Sequence, residues 1–247
     1  MIPALLIGRE GSLGFPGKNV YPLLGRALME YPLLAAKGSR NVDALFVSTD
    51  SPRIGEISEG YGARIIHRPP VLCTAEALGE DVFVHGYREI RAGLREGDSI
   101  EMLVLLMCNA PTITADLIDE GIEALRAHPE YDSAVTVSRY NMYSPLRARR
   151  IGRDGLLHPF VPIETFGDPY SLNCDRDSQG DVWFADMGAS IVRPGNLEHL
   201  EEGLLPQKWM GRHIYPLKQW GGLDIDYEWQ IPQARFWLGR HGYREVN

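Results

Sequence analysis

Ile2-Pro3-Ala4-Leu5-Leu6-Ile7-Gly8-Arg9-Glu10-Gly11-Ser12-Leu13-Gly14-Phe15-Pro16-Gly17-Lys18-Asn19 opens the chain after its first methionine, and its two halves differ in kind. Residues 2–7 are a short apolar run with the length of a buried strand, and residues 8–19 are a glycine-rich loop. A strand leading into such a loop commonly binds phosphate, because glycines let backbone amides come close to an anionic group. Arg9 and Lys18 add the positive charge that a triphosphate needs beyond bare amides. The stretch predicts a nucleotide site made of Gly8, Arg9, Gly11, Ser12, Gly14, Lys18 and Asn19. A plain strand-to-helix turn is the alternative, and it has no use for two cations at this spacing.

The glycine spacing excludes the two commonest nucleotide loops. A dinucleotide fingerprint needs G-x-G-x-x-G, and Glu10 stands where its second glycine belongs. A phosphate loop of the G-x-x-x-x-G-K-[ST] kind fails as well, with Ser12 in place of its first glycine and Asn19 after Lys18.

Further along, apolar runs alternate with amphipathic segments, the pattern of a parallel sheet flanked by helices. Strands are expected at 2–7, 44–49, 63–67, 101–107 and 133–137, and helices at 27–38, 52–60, 79–95 and 114–127. From 139 to 187 the periodicity fails across Pro145, Pro159, Pro162 and Pro169, so this stretch reads as an excursion from one domain spanning 1–247. A strand at 189–193, a short helix near 195–201, a strand at 213–217 and a helix ending near His241 complete the expectation. Pro232 would kink or delay that last helix.

Composition narrows the function classes. At 247 residues and 44% apolar content the chain can bury a sizeable core, and no apolar run has the length of a membrane span. The start of the chain lacks a secretory signal pattern, so a cytoplasmic protein is expected. The net charge of -8 disfavours a nucleic-acid partner. Cys73, Cys108 and Cys174 are too widely spaced for a zinc site or a disulfide framework and are expected to be reduced, buried thiols. The seven histidines show no spacing for metal or nucleophile work.

Ligands of an open parallel sheet gather beyond the carboxyl ends of its strands. That rule adds Arg68 and Asn109 to the first loop as nucleotide-binding candidates, and brings Asp50 near them; for Asp50 and Asn109 a capping or turn role is the alternative. Late in the chain, Gly221-Gly222-Leu223-Asp224-Ile225-Asp226 alternates aspartates with apolar residues. On a strand both carboxylates would face one side, which suits Mg²⁺ held by carboxylate oxygens beside phosphates. Asp226 as a helix cap is the alternative, and it leaves Asp224 without a role.

The first loop resembles the signature of the acylneuraminate cytidylyltransferases, the CMP-sugar synthetases, roughly I-x-A-R-x-G-S-K-x-x-x-x-K-N. Arg9, Gly11, Ser12, Lys18 and Asn19 match it in order and spacing, and Leu13 stands where that family has a second lysine. Val47-Ser48-Thr49-Asp50, Arg68-Pro69, Met187-Gly188-Ala189 and the late Asp224-Ile225-Asp226 extend the likeness over nearly the whole chain. Met107-Cys108-Asn109-Ala110-Pro111 departs from the family's Q-P-T-S-P.

The resemblance implies an α/β, Rossmann-like fold of the nucleotide-diphospho-sugar transferase type, with a small insertion used for dimerisation. It implies transfer from CTP to an acidic sugar, with Arg9, Lys18 and Asp224 as catalytic groups, Asp224 and Asp226 as metal ligands, and Mg²⁺ as cofactor. It also implies a homodimer in which the excursion serves the neighbour's site, making Arg147, Arg149 and Gln179 acceptor-binding candidates; a solvated basic face is the alternative for the arginines. Leu13 and the 107–111 departure leave room for another anionic acceptor such as a phosphonate, or for a CTP-binding protein without catalysis.

Overall fold

A computed structural model describes the whole chain except residues 12, 13, 176, 178 and 247. Its centre is a seven-stranded sheet in the spatial order β11 (Ile214–Gln219), β7 (Ser133–Arg139), β10 (Trp183–Val192), β6 (Leu103–Met107), β1 (Pro3–Ile7), β4 (Ala44–Thr49) and β5 (Arg64–His67). The strands of the first half are β1, β4, β5, β6 and β7. Between β1 and β4, the two-residue strands β2 (Pro22–Leu23) and β3 (Arg26–Ala27) form a small hairpin of their own. The excursion holds a second hairpin, β8 (Arg149–Ile151) with β9 (Leu157–Pro159), and the last strands are β10 and β11.

Both faces of the sheet are covered, and period-two alternation assigns each side chain to a face. Ala4, Leu6, Val104 and Leu106 point to the side occupied by α1 (Glu30–Gly38), α2 (Pro52–Gly60) and α4 (Ala115–Ala127). Leu5, Leu103 and Leu105 point to the other side, against α3 (Gly79–Ala92) and α5 (Pro194–Glu198). A third cluster packs α6 (Ile231–Arg240) through Ala234, Trp237 and Leu238 against Leu23, Leu28, Tyr31 and Ile225. Pro232 falls in the first turn of α6, where its missing N–H costs nothing, so it delays the helix and does not kink it.

The structure corrects several expected bounds. The helix expected from 27 starts at Glu30, because Arg26 and Ala27 are taken by the hairpin and the Glu30 carboxylate accepts the Ala27 N–H. The third helix stops at Ala92 and not near 95, closed by Gly93. The strand expected at 189–193 begins at Trp183 and runs antiparallel to both neighbours, inside a sheet whose other pairings are parallel. A register shift between Ala185 and Ser190 breaks its alternation, which hides it from periodicity. Cys174 is exposed, contrary to the expectation of three buried thiols; Cys108 is buried, Cys73 half-buried, and all three are free.

Candidate active site

The carboxyl ends of β1, β5 and β6 open on one cleft, lined by Gly8, Arg9, Lys18, Asn19, Arg68 and Asn109. Six positions expected from sequence to touch nucleotide are therefore brought together. Gly11 turns the loop with φ +76, Gly14 follows it, and Ser12 lies outside the described residues. Asn19 is buried and donates from Nδ2 to the Arg9 carbonyl at 3.1 Å, closing the loop on itself. The Arg9 guanidinium bends back to the Gly11 carbonyl at 2.9 Å, and the Asp50 carboxylate accepts the Glu10 N–H at 3.0 Å.

Close packing accounts for two of the glycines. A Cβ on Gly8 would overlap the Sγ of Cys108, and one on Gly14 would stand 2.8 Å from the Asp226 carbonyl oxygen. Gly8 thus lets β1 and β6 close at the cleft floor, and burial pushes the Cys108 thiol up to about 12, so it stays a neutral packing group. Arg68 forms one wall, with Nε on Ser48 Oγ at 3.0 Å and Nη2 on the Ser48 carbonyl at 2.6 Å; burial lowers its pKa, and as a guanidinium it still carries its charge.

The aspartates reach this cleft from a segment that is not a strand, which corrects the expected geometry. Leu223 exchanges both backbone hydrogen bonds with the Thr112 hydroxyl, at 2.8 and 3.1 Å. Ile225 donates its N–H to the Asn109 carbonyl at 2.8 Å and accepts Asn109 Nδ2 at 3.1 Å. With its backbone groups spent on the loop after β6, the segment cannot join a ladder. The alternation still operates: Ile225 is fully buried beneath Trp237, while Asp224 is half-buried and Asp226 exposed.

Lys18 and Asp226 meet across the cleft, Nζ to Oδ1 at 2.5 Å. Burial, and next the charge of Asp226, raise the pKa of Asp224, so the pair as it stands carries more negative potential than it can hold comfortably. Two hard carboxylates in mutual repulsion, one already drawn to an ammonium, form a donor set that fits a divalent cation such as Mg²⁺. Arg147, Arg149 and Gln179 are not among the cleft-lining residues and are exposed on the excursion, where Arg149 donates to the carbonyls of Leu146 and Ala148. Sequence reasoning missed Leu72, Thr74, Ala77 and Gly79, which complete the cleft between β5 and α3. Their position beyond a strand's carboxyl end was the available signal.

A family profile described as Cytidylyltransferase matches residues 4–150, which carry β1 through β7 and most of the cleft. The chain belongs to the cytidylyltransferase family. It is 30% identical over 145 residues to an N-acylneuraminate cytidylyltransferase of Escherichia coli, covering 59% of this chain and 33% of that protein. It is 24% identical over 245 residues to N-acylneuraminate cytidylyltransferase A of Danio rerio, covering 98% of this chain and 52% of that protein. The chain thus spans a third to about half the length of these curated relatives. In fold it is similar to a CMP:2-keto-3-deoxy-manno-octonic acid synthetase solved with CTP, with TM-score 0.67 and 13% identity over 97% of this chain and 99% of that one.

Proposed function

We propose that this cytidylyltransferase-family chain couples CTP to an acidic sugar, a nonulosonic (sialic-like) or 3-deoxy-octulosonic-like acid, giving a CMP-sugar and pyrophosphate for polysaccharide synthesis in the cytoplasm. The observation that carries the reading is the cleft itself: Arg9 and Lys18 from the loop after β1 and Arg68 from the end of β5 converge on it, and Asp226 closes on Lys18. A concentration of cations in an otherwise acidic chain, faced by two carboxylates, suits an anionic nucleotide with a divalent ion.

In the reaction, an acceptor hydroxyl oxygen attacks the α-phosphorus of CTP in line. The new P–O bond forms as the bond to the β-phosphate oxygen breaks; pyrophosphate leaves with that electron pair, and the hydroxyl proton passes to solvent. Little covalent work falls to the protein, so its contribution is positioning and charge neutralisation. Lys18 and Arg9 would hold the triphosphate, the amides of Gly8, Gly11 and Gly14 would line its path, and Asn19, Arg68 and Asn109 would shape the nucleotide's seat. Asp224 and Asp226 would hold Mg²⁺, which when bound neutralises phosphate charge. With Asp226 engaged in holding the cation, Lys18 Nζ, which pairs with it here, would be left to the phosphates.

The acceptor's carboxylate would be met by Arg147, Arg149 and Gln179 from a neighbouring copy in a homodimer. Support for a dimer comes from the excursion's surface, where Ile151, Leu157 and Phe160 are exposed and Tyr170 is 98% exposed.

The test is pyrophosphate release from CTP with Mg²⁺, assayed against a panel of 2-keto-3-deoxy sugar acids and small phosphonates. Release with a sugar acid, reduced about 10²-fold or more in Lys18→Gln, is expected. Release with a phosphonate alone would reassign the acceptor, and CTP binding without release from any acceptor would overturn the catalytic reading.

A further inference from the structure

The segment that carries Asp224 is held from behind by a polar network buried in the sheet, and its hub is Asp186. We propose that Asp186 is a positioning residue for the cation site: acting through Ser138 and Gln219, it fixes Gly222 and Leu223 and so sets where the Asp224 carboxylate stands. The inference rests on the reading of Asp224 and Asp226 as the cation-binding pair.

β10 departs from regular pairing between Ala185 and Ser190, and Met187, at φ +62, adopts a left-handed backbone conformation that strains a non-glycine residue. Such strain persists only where the surroundings over-determine it. Here it turns the Asp186 carboxylate inward, to 4% exposure. Among the described residues its hydrogen-bond partners are neutral: Ser138 Oγ at 2.7 Å and Gln219 Nε2 at 2.9 Å on one oxygen, the Gly188 N–H at 3.2 Å on the other. A buried carboxylate satisfied by neutral donors is costly to keep in a sheet, and apolar residues would stabilise the fold more simply.

What the network reaches is the end of the loop before Asp224. Ser138 Oγ, while donating to Asp186, accepts the Gly222 N–H at 2.9 Å. Gly222 lies so close to the carboxylate that a Cβ would overlap Oδ2, and its carbonyl accepts the Tyr140 hydroxyl at 2.8 Å. The second relay runs through Gln219 Nε2, which also donates to the Thr112 carbonyl at 3.0 Å, and the Thr112 hydroxyl holds Leu223. Among the described residues Gln219 Oε1 is buried without a partner, and turning the amide over would set it against two acceptor oxygens, so the relay has one orientation. Both relays converge on Gly222 and Leu223, Asn109 clamps Ile225 beyond, and Asp224 is the residue between the clamps.

Mn²⁺ alone, followed by electron paramagnetic resonance on the full chain without nucleotide, tests this. Asp224→Asn should abolish specific Mn²⁺ binding. Ser138→Ala, which removes only the bridging hydroxyl, and Asp186→Asn should each weaken it about 10–100-fold, the range seen when outer groups that orient ligands are lost. Thr136→Val is the control: Thr136 Oγ1 holds the Ala189 N–H at 2.9 Å in the same irregular stretch, and its hydrogen bonds do not extend to Gly222. It should leave Mn²⁺ affinity unchanged. Should Asp186→Asn fail to fold, Ser138→Ala decides the matter alone. Unaltered affinity in Ser138→Ala, beside loss in Asp224→Asn, would overturn the positioning role, as would equal weakening by Thr136→Val. Mn²⁺ binding that ignores Asp224→Asn would instead overturn the metal reading, and this inference with it.

Discussion

Asp224 is raised by burial and by its neighbour Asp226, and that has a consequence for stability. A carboxyl whose folded pKa lies above its unfolded value near 3.8 takes up a proton on folding. Its favourable contribution is fully present below that value and is lost as pH rises through the folded pKa. Metal-free protein should therefore lose stability relative to Asp224→Asn as pH rises out of the acid range, read by urea denaturation in chelator at a series of pH values. A difference between the two that does not change with pH would remove the electrostatic argument for the pair. At this same scale, sequence made Arg9, Lys18 and Asn19 legible, because charge and spacing are local. The packing role of Gly8 was not legible, since it depends on Cys108, one hundred positions away. Asn109 was legible as a candidate, but its grip on Ile225 needed the fold to bring the two segments together.

Elements with uniform environments were read well and mixed ones were not. β1, β4 and β6 are apolar on both faces, and α2 and α4 carry a regular stripe, so their periods survive. β10 was half missed because its irregular stretch interrupts the alternation, and 222–226 was mistaken for a strand because Ile225 alternates with aspartates for a reason other than pairing. A staple between elements was also invisible in sequence. Asp119 on α4, 2% exposed, accepts hydrogen bonds from Ser39 Oγ, the Arg40 backbone and side chain, and Asn41 Nδ2, all just past the end of α1. Burial alone would raise its pKa; these donors overcome it and hold the carboxyl at about 2. With the folded value depressed, this stabilisation is present above about 3.8 and fades as pH falls toward 2. Asp119→Ala should cost about 2 kcal/mol at neutral pH and progressively less in acid, measured by chemical denaturation. An equal cost at both pH values would mean that packing, not charge, holds the staple.

At the scale of the molecule, the sheet gathers the strand ends on one side, and the excursion leaves that frame as a hairpin with an apolar surface. Sedimentation should find a dimer, and Leu157→Asp, at a residue 71% exposed in the single chain, should shift it to monomer with little change in melting temperature. A monomeric parent chain would remove the neighbour's Arg147, Arg149 and Gln179 from the acceptor site. No helix among the described residues is long and apolar enough to cross a membrane. The overall architecture was legible because alternating strand and helix patterns admit few topologies, whereas the excursion's internal hairpin was not, because β8 and β9 are three residues each, too short to show a period. The measurement that bears most directly on the account is phosphorus NMR of a reaction containing CTP, Mg²⁺, a 2-keto-3-deoxy sugar acid and the full chain. Equimolar pyrophosphate and a new CMP phosphodiester, both absent with Asp224→Asn, are predicted; CDP with inorganic phosphate, or an unchanged Asp224→Asn spectrum, would contradict it.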